Sequence, residues 1–132
     1  MDCKTFKEYI QEFSEADDKS ELFDKYYHPD IVFIHPFKGT FTGKENLVNF
    51  WNSGKNSGHA GIKEKIEIKN ILMEGNKIAA ELLIKWHCFR DTDYLGSRKK
   101  GEVFYGNCAA FYELENNKFK KVQLYLNLSD RK

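Results

Sequence analysis

From residue 62 onward the sequence repeats with a period of two, and this limits the possible folds more than any other feature. Residues 62–73 alternate through Ile62, Glu64, Ile66, Ile68, Asn70 and Leu72. Glu74-Gly75-Asn76 turns the chain. Residues 77–90 then place Ile78, Ala80, Leu82, Ile84, Trp86 and Cys88 on one face, with Glu81, Lys85 and His87 on the other. A polar loop over 91–98 leads to a run at 100–114, read with Val103, Tyr105, Asn107, Ala109 and Phe111 together on one face. Glu115-Asn116-Asn117 turns into a last run, 119–128, which aligns Val122, Leu124, Leu126 and Leu128. Successive side chains of a strand point to opposite faces, so these are half-buried strands. Each is about a dozen residues long, against a usual five or six, and a sheet of such strands bends.

The first half is mostly helical. Phe6, Tyr9, Ile10 and Phe13 fall at i, i+3, i+4 and i+7, the apolar stripe of a helix over 3–14. Asp17-Asp18 breaks it. Asp18 and Glu21 then cap a second helix, 19–27, which buries Leu22, Phe23 and Tyr26 and stops at His28-Pro29. Residues 30–35 form a short strand with Ile31, Phe33 and His35 on one face. Gly39 and Gly43 mark a loop. Thr42-Gly43-Lys44-Glu45 has the form of a capping box for a third helix, whose apolar side is Leu47, Val48, Phe50 and Trp51. Three glycines over 52–61 indicate a flexible connection, and residues 129–132 a frayed tail. Helices first and a long meander second define an α+β fold. The expected shape is a cone: a strongly bent antiparallel sheet with the helices across its hollow, enclosing a pocket.

Composition excludes several function classes. The chain has 132 residues, enough for one core, and a net charge of +1, which gives no field to attract nucleic acid or acidic membranes. The basic run Ser97-Arg98-Lys99-Lys100 lies between strands and reads as a solvated hairpin loop. Cys3, Cys88 and Cys108 form no CxxC pair and no metal spacing; an odd, sparse set suits reduced thiols in the cytoplasm. His28, His59 and His87 are not spaced as ligands, and Asp91-Thr92-Asp93 lacks the rest of a calcium loop, so no metal is expected. The charged N-terminus is no signal peptide, and no apolar run reaches membrane-spanning length. Aromatic residues, at 15%, serve either a core of large rings or an aromatic-lined cavity.

The order of elements is similar to the nuclear transport factor 2-like superfamily, specifically its SnoaL-like branch. The matching residues are the paired N-terminal helices, Tyr27-His28-Pro29-Asp30-Ile31-Val32-Phe33-Ile34-His35-Pro36, the capped helix ending in Phe50-Trp51, and the closing Asn117-Lys118-Phe119 and Gln123-Leu124-Tyr125-Leu126-Asn127. On this resemblance residues 1–132 form a single SnoaL-like domain. Ketosteroid isomerase, scytalone dehydratase, limonene epoxide hydrolase and the polyketide cyclases share the fold with many non-catalytic modules, so the fold alone does not fix the function. In the isomerase an Asp-Pro pair ends the short strand and its Asp is the general base; His35-Pro36 occupies that place. The same comparison matches Tyr9 to a first-helix oxyanion donor and Ala109 to the second, acidic donor. Asn107, two residues earlier, is a substitute donor. The family's apolar pocket implies Leu82, Ile84 and Trp86 as ligand-binding residues, and Phe33, Trp51, Ala109, Phe111 and Leu126 complete the candidate lining. Both isomerase carboxylates are missing, which weighs against steroid isomerisation. Arg90, Asp91 and Asp93 have the epoxide-hydrolase residue types but fall in a loop.

Two functions follow from these residues. One is a cofactor-free isomerase, dehydratase or cyclase that acts next to a carbonyl, with His35 as acid/base and Tyr9 and Asn107 as polarising donors for a small apolar or carbonyl-bearing ligand. A base for such a proton works best with a pKa near the ambient pH, which histidine has. The alternative is a non-catalytic ligand-binding or dimeric interaction module with a vestigial pocket. There His35 bonds to backbone near the Gly39 loop and Tyr9, Trp51 and Trp86 are simply core. In either case the superfamily resemblance, together with the mixed face of Ala79, Leu83, His87 and Phe89, predicts a homodimer through the convex sheet face.

Overall fold

A computed structural model describes residues 1–52 and 61–129. The described elements are α1 (Cys3–Glu15), α2 (Ser20–Tyr26), β1 (Tyr27–His35), β2 (Gly39–Thr42), α3 (Lys44–Asn52), β3 (Ile62–Glu74), β4 (Lys77–Cys88), β5 (Val103–Glu115) and β6 (Lys118–Ser129). The connection expected over 52–61, His59 included, falls mostly on 53–60, outside the described residues, as do 130–132 of the tail.

Helix α1 starts where the Asp2 side chain accepts the Thr5 N–H at 2.8 Å. Its stripe of Phe6, Tyr9, Ile10 and Phe13 is buried, as the spacing predicts. Buried Lys19 closes the other end: its ammonium donates to the carbonyls of Phe13 at 2.6 Å and Ala16 at 2.7 Å, which have no helical partner of their own. Asp18 accepts the Ser20 N–H at 2.9 Å, and α2 begins there. The strand that follows begins earlier than 30. Tyr27 already pairs in parallel with Phe119, and the ladder becomes irregular between Tyr27 and Val32, where Pro29 has no N–H to give.

The stretch between Gly39 and Gly43 is a correction to the sequence reading: it is not a loop but strand β2, antiparallel to β1 from His35↔Gly39 to Val32↔Thr42. Thr42 therefore closes a strand, and α3 starts at Lys44 with the Leu47 N–H on the Gly43 carbonyl. The sheet order is β2-β1-β6-β5-β4-β3. Among the described strands every ladder is antiparallel except β1–β6. The whole is an α+β fold with a curved, unclosed sheet.

The parity of β4 is as read: Ile78, Ala80, Leu82, Ile84, Trp86 and Cys88 are all buried. That of β5 is opposite to expectation. Leu82 pairs with Cys108 and Ile84 with Gly106, so even positions face even positions. Phe104, Gly106, Cys108, Ala110 and Tyr112 turn inward, while Asn107 and Ala109 are exposed and Phe111 is 50% exposed. The physical reason is volume. The Trp86 ring, stacked on Phe104 at 4.9 Å, fills the space a Cβ on Gly106 needs, coming within 2.6 Å of that position. Between the inward rings of Phe104 and Tyr112, β5 keeps Gly106, Cys108 and Ala110 small opposite Ile84, Leu82 and Ala80, and turns Phe111 outward. On β6, Val122, Leu124 and Leu126 lie opposite Tyr112, Ala110 and Cys108, on the inner face as read.

Candidate active site

Inside the cone the described side chains leave a cavity of about 40 Å³. That is room for water, not for a molecule of drug size, which takes several hundred cubic ångströms. Rings of α1, α2, α3 and β1 occupy the rest. Phe13, Phe23 and Phe33 pack edge-on to Trp51, and Tyr9 packs at 4.8 Å against Phe119. Of the candidate residues, Tyr9, Phe33, His35, Trp51, Leu82, Ile84, Trp86 and Leu126 line this space. Asn107, Ala109 and Phe111 do not. They sit on the outer face of β5, so the donor assigned to Asn107 and the lining assigned to Ala109 and Phe111 are overturned by the register.

His35 ends β1 and is only 3% exposed. Its Nδ1 accepts the main-chain N–H groups of Phe37 and Lys38, both at 3.1 Å. These bonds assign the proton to Nε2, which donates to the Tyr94 hydroxyl at 3.1 Å. Burial, with a smaller contribution from Lys38, lowers the His35 pKa to about 4, so the ring is neutral at ordinary pH. Tyr9 is turned away from this pair: its hydroxyl bonds that of Tyr27, and burial pushes its pKa well up.

Two residues that the sequence reading did not single out complete the polar end. Tyr94 belongs to the 91–98 loop. Reciprocal main-chain bonds between Thr92 and Arg98 pinch this loop, and Thr92 Oγ1 accepts the Tyr94 N–H at 3.2 Å, which sends the ring back into the core. A lone aromatic in a polar loop was the available signal. Glu64 stands in the inward parity of β3, between Ile62 and Ile66, and a carboxylate in an apolar register was likewise legible. The Trp86 indole donates to its Oε2 at 2.7 Å. Burial raises the Glu64 pKa, offset by that bond and by the positive charge of Lys19. Burial pushes the Tyr94 hydroxyl's pKa well up, and the negative charge of Glu64 holds it further up.

Glu64 is also reached from outside. A groove of about 1110 Å³ runs between α1 and β3, and Ile10, Glu64 and Ile66 line both it and the inner cavity. The basic run of the 91–98 loop is absorbed locally: Lys99 lies 3.8 Å from Asp91, and Arg98 sits 3.9 Å from Glu102 and over the Phe104 ring. Among the described residues no three His, Cys, Asp or Glu side chains are grouped to hold a metal. No described helix is long and apolar enough to cross a membrane.

A cone of this build, with a few polar groups sunk in an aromatic interior, defines the nuclear transport factor 2-like class. The chain belongs to the SnoaL-like domain family, whose model matches residues 6–122. Solved structures agree on the fold. A proposed SnoaL-like polyketide cyclase from Jannaschia sp. CCS1 superposes with a TM-score of 0.70 at 12% identity, over 91% of this chain and 83% of that one. An epoxide hydrolase of the LEH-like type from M. tuberculosis gives 0.66 at 10% identity, over 91% and 80%. IdmH, a proposed polyketide cyclase from Streptomyces antibioticus, gives 0.66 at 14%, over 92% and 91%. Among functionally curated proteins none matches the chain.

Proposed function

We propose that this protein binds a small carbonyl-bearing molecule and moves a proton next to the carbonyl without a cofactor, as an isomerase, dehydratase or cyclase does. The single observation behind this reading is the convergence of Glu64 and Tyr94 on one apolar cavity. Burial makes the Glu64 carboxylate more basic than usual, which suits a proton acceptor at neutral pH. The Tyr94 hydroxyl is the donor for the oxygen that becomes negative. His35 takes part as the group that holds Tyr94, its Nε2–H donating to the Tyr94 hydroxyl and leaving the hydroxyl proton free to point at the ligand. Its unprotonated nitrogen already accepts two main-chain bonds, so the base role passes to Glu64. Tyr9 and Tyr27 form the dry wall opposite. Residues 1–132 act as one domain in this reading, in a reducing, cytoplasmic setting that the three free thiols fit.

Deuterium wash-in tests the reading. Wild-type chain is incubated in heavy water with a panel of cyclic and β-hydroxy ketones, and label next to the carbonyl is followed by NMR. Exchange above background is expected, and Glu64→Gln lowers it by about 100-fold or more, the usual worth of a positioned base. Exchange that Glu64→Gln leaves untouched removes Glu64 from the chemistry. No exchange with any ketone favours the second reading, a non-catalytic module.

The observations on that side are the nearly filled interior and the apolar outer face, where Phe111 and Tyr125 meet edge-on at 5.9 Å while each stays about half exposed. We assign a homodimer to this face in both readings. A monomeric mass at micromolar concentration in sedimentation overturns it.

A further inference from the structure

The reacting group and the room for a ligand lie in adjoining compartments. Glu64 faces an inner cavity of about 40 Å³ and an outer groove of about 1110 Å³. A molecule that reaches Glu64 therefore keeps its bulk in the groove, along edge strand β3. The groove curls round that edge and meets both faces of the strand. Ile66, Ile68 and Ile71 supply apolar wall, and Lys65 and Lys85 supply charge.

The charge is arranged unfavourably for an empty surface. Lys65 and Lys85 are directly opposed in the β3–β4 register, and Lys63 faces His87 in the next pair. Like charges placed opposite each other repel. Asp17 answers Lys63 at 2.7 Å. Among the described residues Lys7, Lys65, Lys69 and Lys85 have no ion-pair partner. Lys69 falls where the ladder slips between Ile68 and Asn70. The acidic residues of the groove are Glu15 and Glu64, with Glu67 next after Lys65 on its face. An added peptide strand fits poorly, because the Ser14 hydroxyl already accepts the Ile66 N–H at 2.9 Å, and a strand pairing on that edge needs such groups.

We propose that the groove binds an amphipathic anion, with its aliphatic body along the β3 isoleucines, its carboxylate or phosphate head against Lys65 and Lys85, and its far end presented to Glu64. This rests on the proton-transfer reading for what happens at Glu64, but not for binding.

Calorimetric titration of the full chain with decanoate, decyl phosphate and 1-decanol tests it. Both anions bind, at least about tenfold tighter than the alcohol, and more weakly as salt is raised. The double variant Lys65→Ala/Lys85→Ala weakens the anions by about tenfold and leaves the alcohol unchanged, two exposed charges each giving a modest share. The control Lys99→Ala/Lys100→Ala changes nothing. Tighter binding of decyl phosphate than decanoate assigns a phosphate head, and the reverse a carboxylate. Equal affinity for anions and alcohol, no binding of any of the three, or an equal loss in the control overturns the proposal. Retained deuterium exchange in a chain that binds no anion discards the groove alone. Anion binding without Glu64-dependent exchange discards the catalysis alone.

Discussion

The two faces of the sheet are built to different tolerances. The concave face carries Phe104, Cys108, Ala110, Tyr112, Phe119 and Val122, each at most 4% exposed, under the aromatic residues of α1 and α2. The convex face carries Asn107, Ala109 and a half-exposed Phe111 one residue along the same strand. Parity alone separates them, since neighbouring residues of β5 share a backbone but not an environment. The difference teaches where this molecule spends its stability. The inner face is a jigsaw in which rings fix other rings, and its few titratable groups are displaced from their solution behaviour. The outer face leaves Asn107, Ala109 and half of the Phe111 ring open to solvent.

The sharpest way to break that contrast is to truncate one ring on each side. Phe119→Ala removes a fully buried ring that contacts Phe6, Tyr9, Tyr27 and Tyr112. It is expected to cost about 3–5 kcal/mol in urea unfolding. A cost near that of an outer-face truncation would mean that the core can collapse into the gap.

Next in size is the acid response. His35 has a folded pKa of about 4 and an ordinary one of 6.5, so the unfolded chain binds more protons between those values. Its share of stability is complete above pH 6.5 and is lost as pH falls toward 4, about 3 kcal/mol in all. Glu64 runs the other way. Its folded pKa is raised, so its share is most favourable in acid and falls as pH climbs past the ordinary carboxyl range. Urea melts across pH 4–7 check both. His35→Gln is expected to flatten the acid limb, and Glu64→Gln to stabilise the chain at pH 7 while removing the proposed base. An acid limb that His35→Gln leaves steep assigns it to other groups.

Most of the architecture was legible because long strands repeat their pattern often enough to average out exceptions. Residues 62–68 and 77–88 announce their inner face at every second position; past the slip between Ile68 and Asn70 the parity of β3 changes, so Ile71 packs on the core while Leu72, read on the same face as Ile68, is 69% exposed. β5 did not, because both of its parities are apolar: Phe104, Cys108, Ala110 and Tyr112 on one, Val103, Tyr105, Ala109 and Phe111 on the other. Partner strand β4 decides between them through the bulk of Trp86, and a single strand cannot report its neighbour's volume. β2 was hidden for a related reason. Its four residues are too few to show a period, and they exist as a strand only because β1 offers an edge. Of the site, His35 was visible as a polar residue at a strand end. Tyr94 showed only as a lone aromatic in a polar loop, and its reach into the cavity was hidden because it comes through the fold of that loop, here the Thr92–Arg98 pinch.

Gly106 tests the volume argument directly. Its φ is unremarkable, so glycine is there for space rather than for backbone freedom. A methyl group at that position meets the buried Trp86 ring within 2.6 Å. Gly106→Ala should therefore cost about 1–3 kcal/mol through overpacking, and the indole that donates to Glu64 should shift its fluorescence. Pairing the change with Trp86→Phe, which shortens the ring, should restore much of the loss. No rescue would place the strain in the backbone instead.

The smallest effect is expected on the convex face, and there its size depends on assembly. Phe111 is half exposed and touches Tyr125 edge-on. In an isolated chain Phe111→Ala gives up only part of one ring's burial and should change stability by about 0.5 kcal/mol or less, as surface substitutions do. In a dimer joined through this face the same ring is covered by a second copy, and its removal lowers the association constant. The melting temperature of the wild type then rises with protein concentration, while that of Phe111→Ala does so less. A wild-type melting temperature independent of concentration, with no effect of Phe111→Ala, would leave the convex face as ordinary surface and the concave face as the only one the fold has committed.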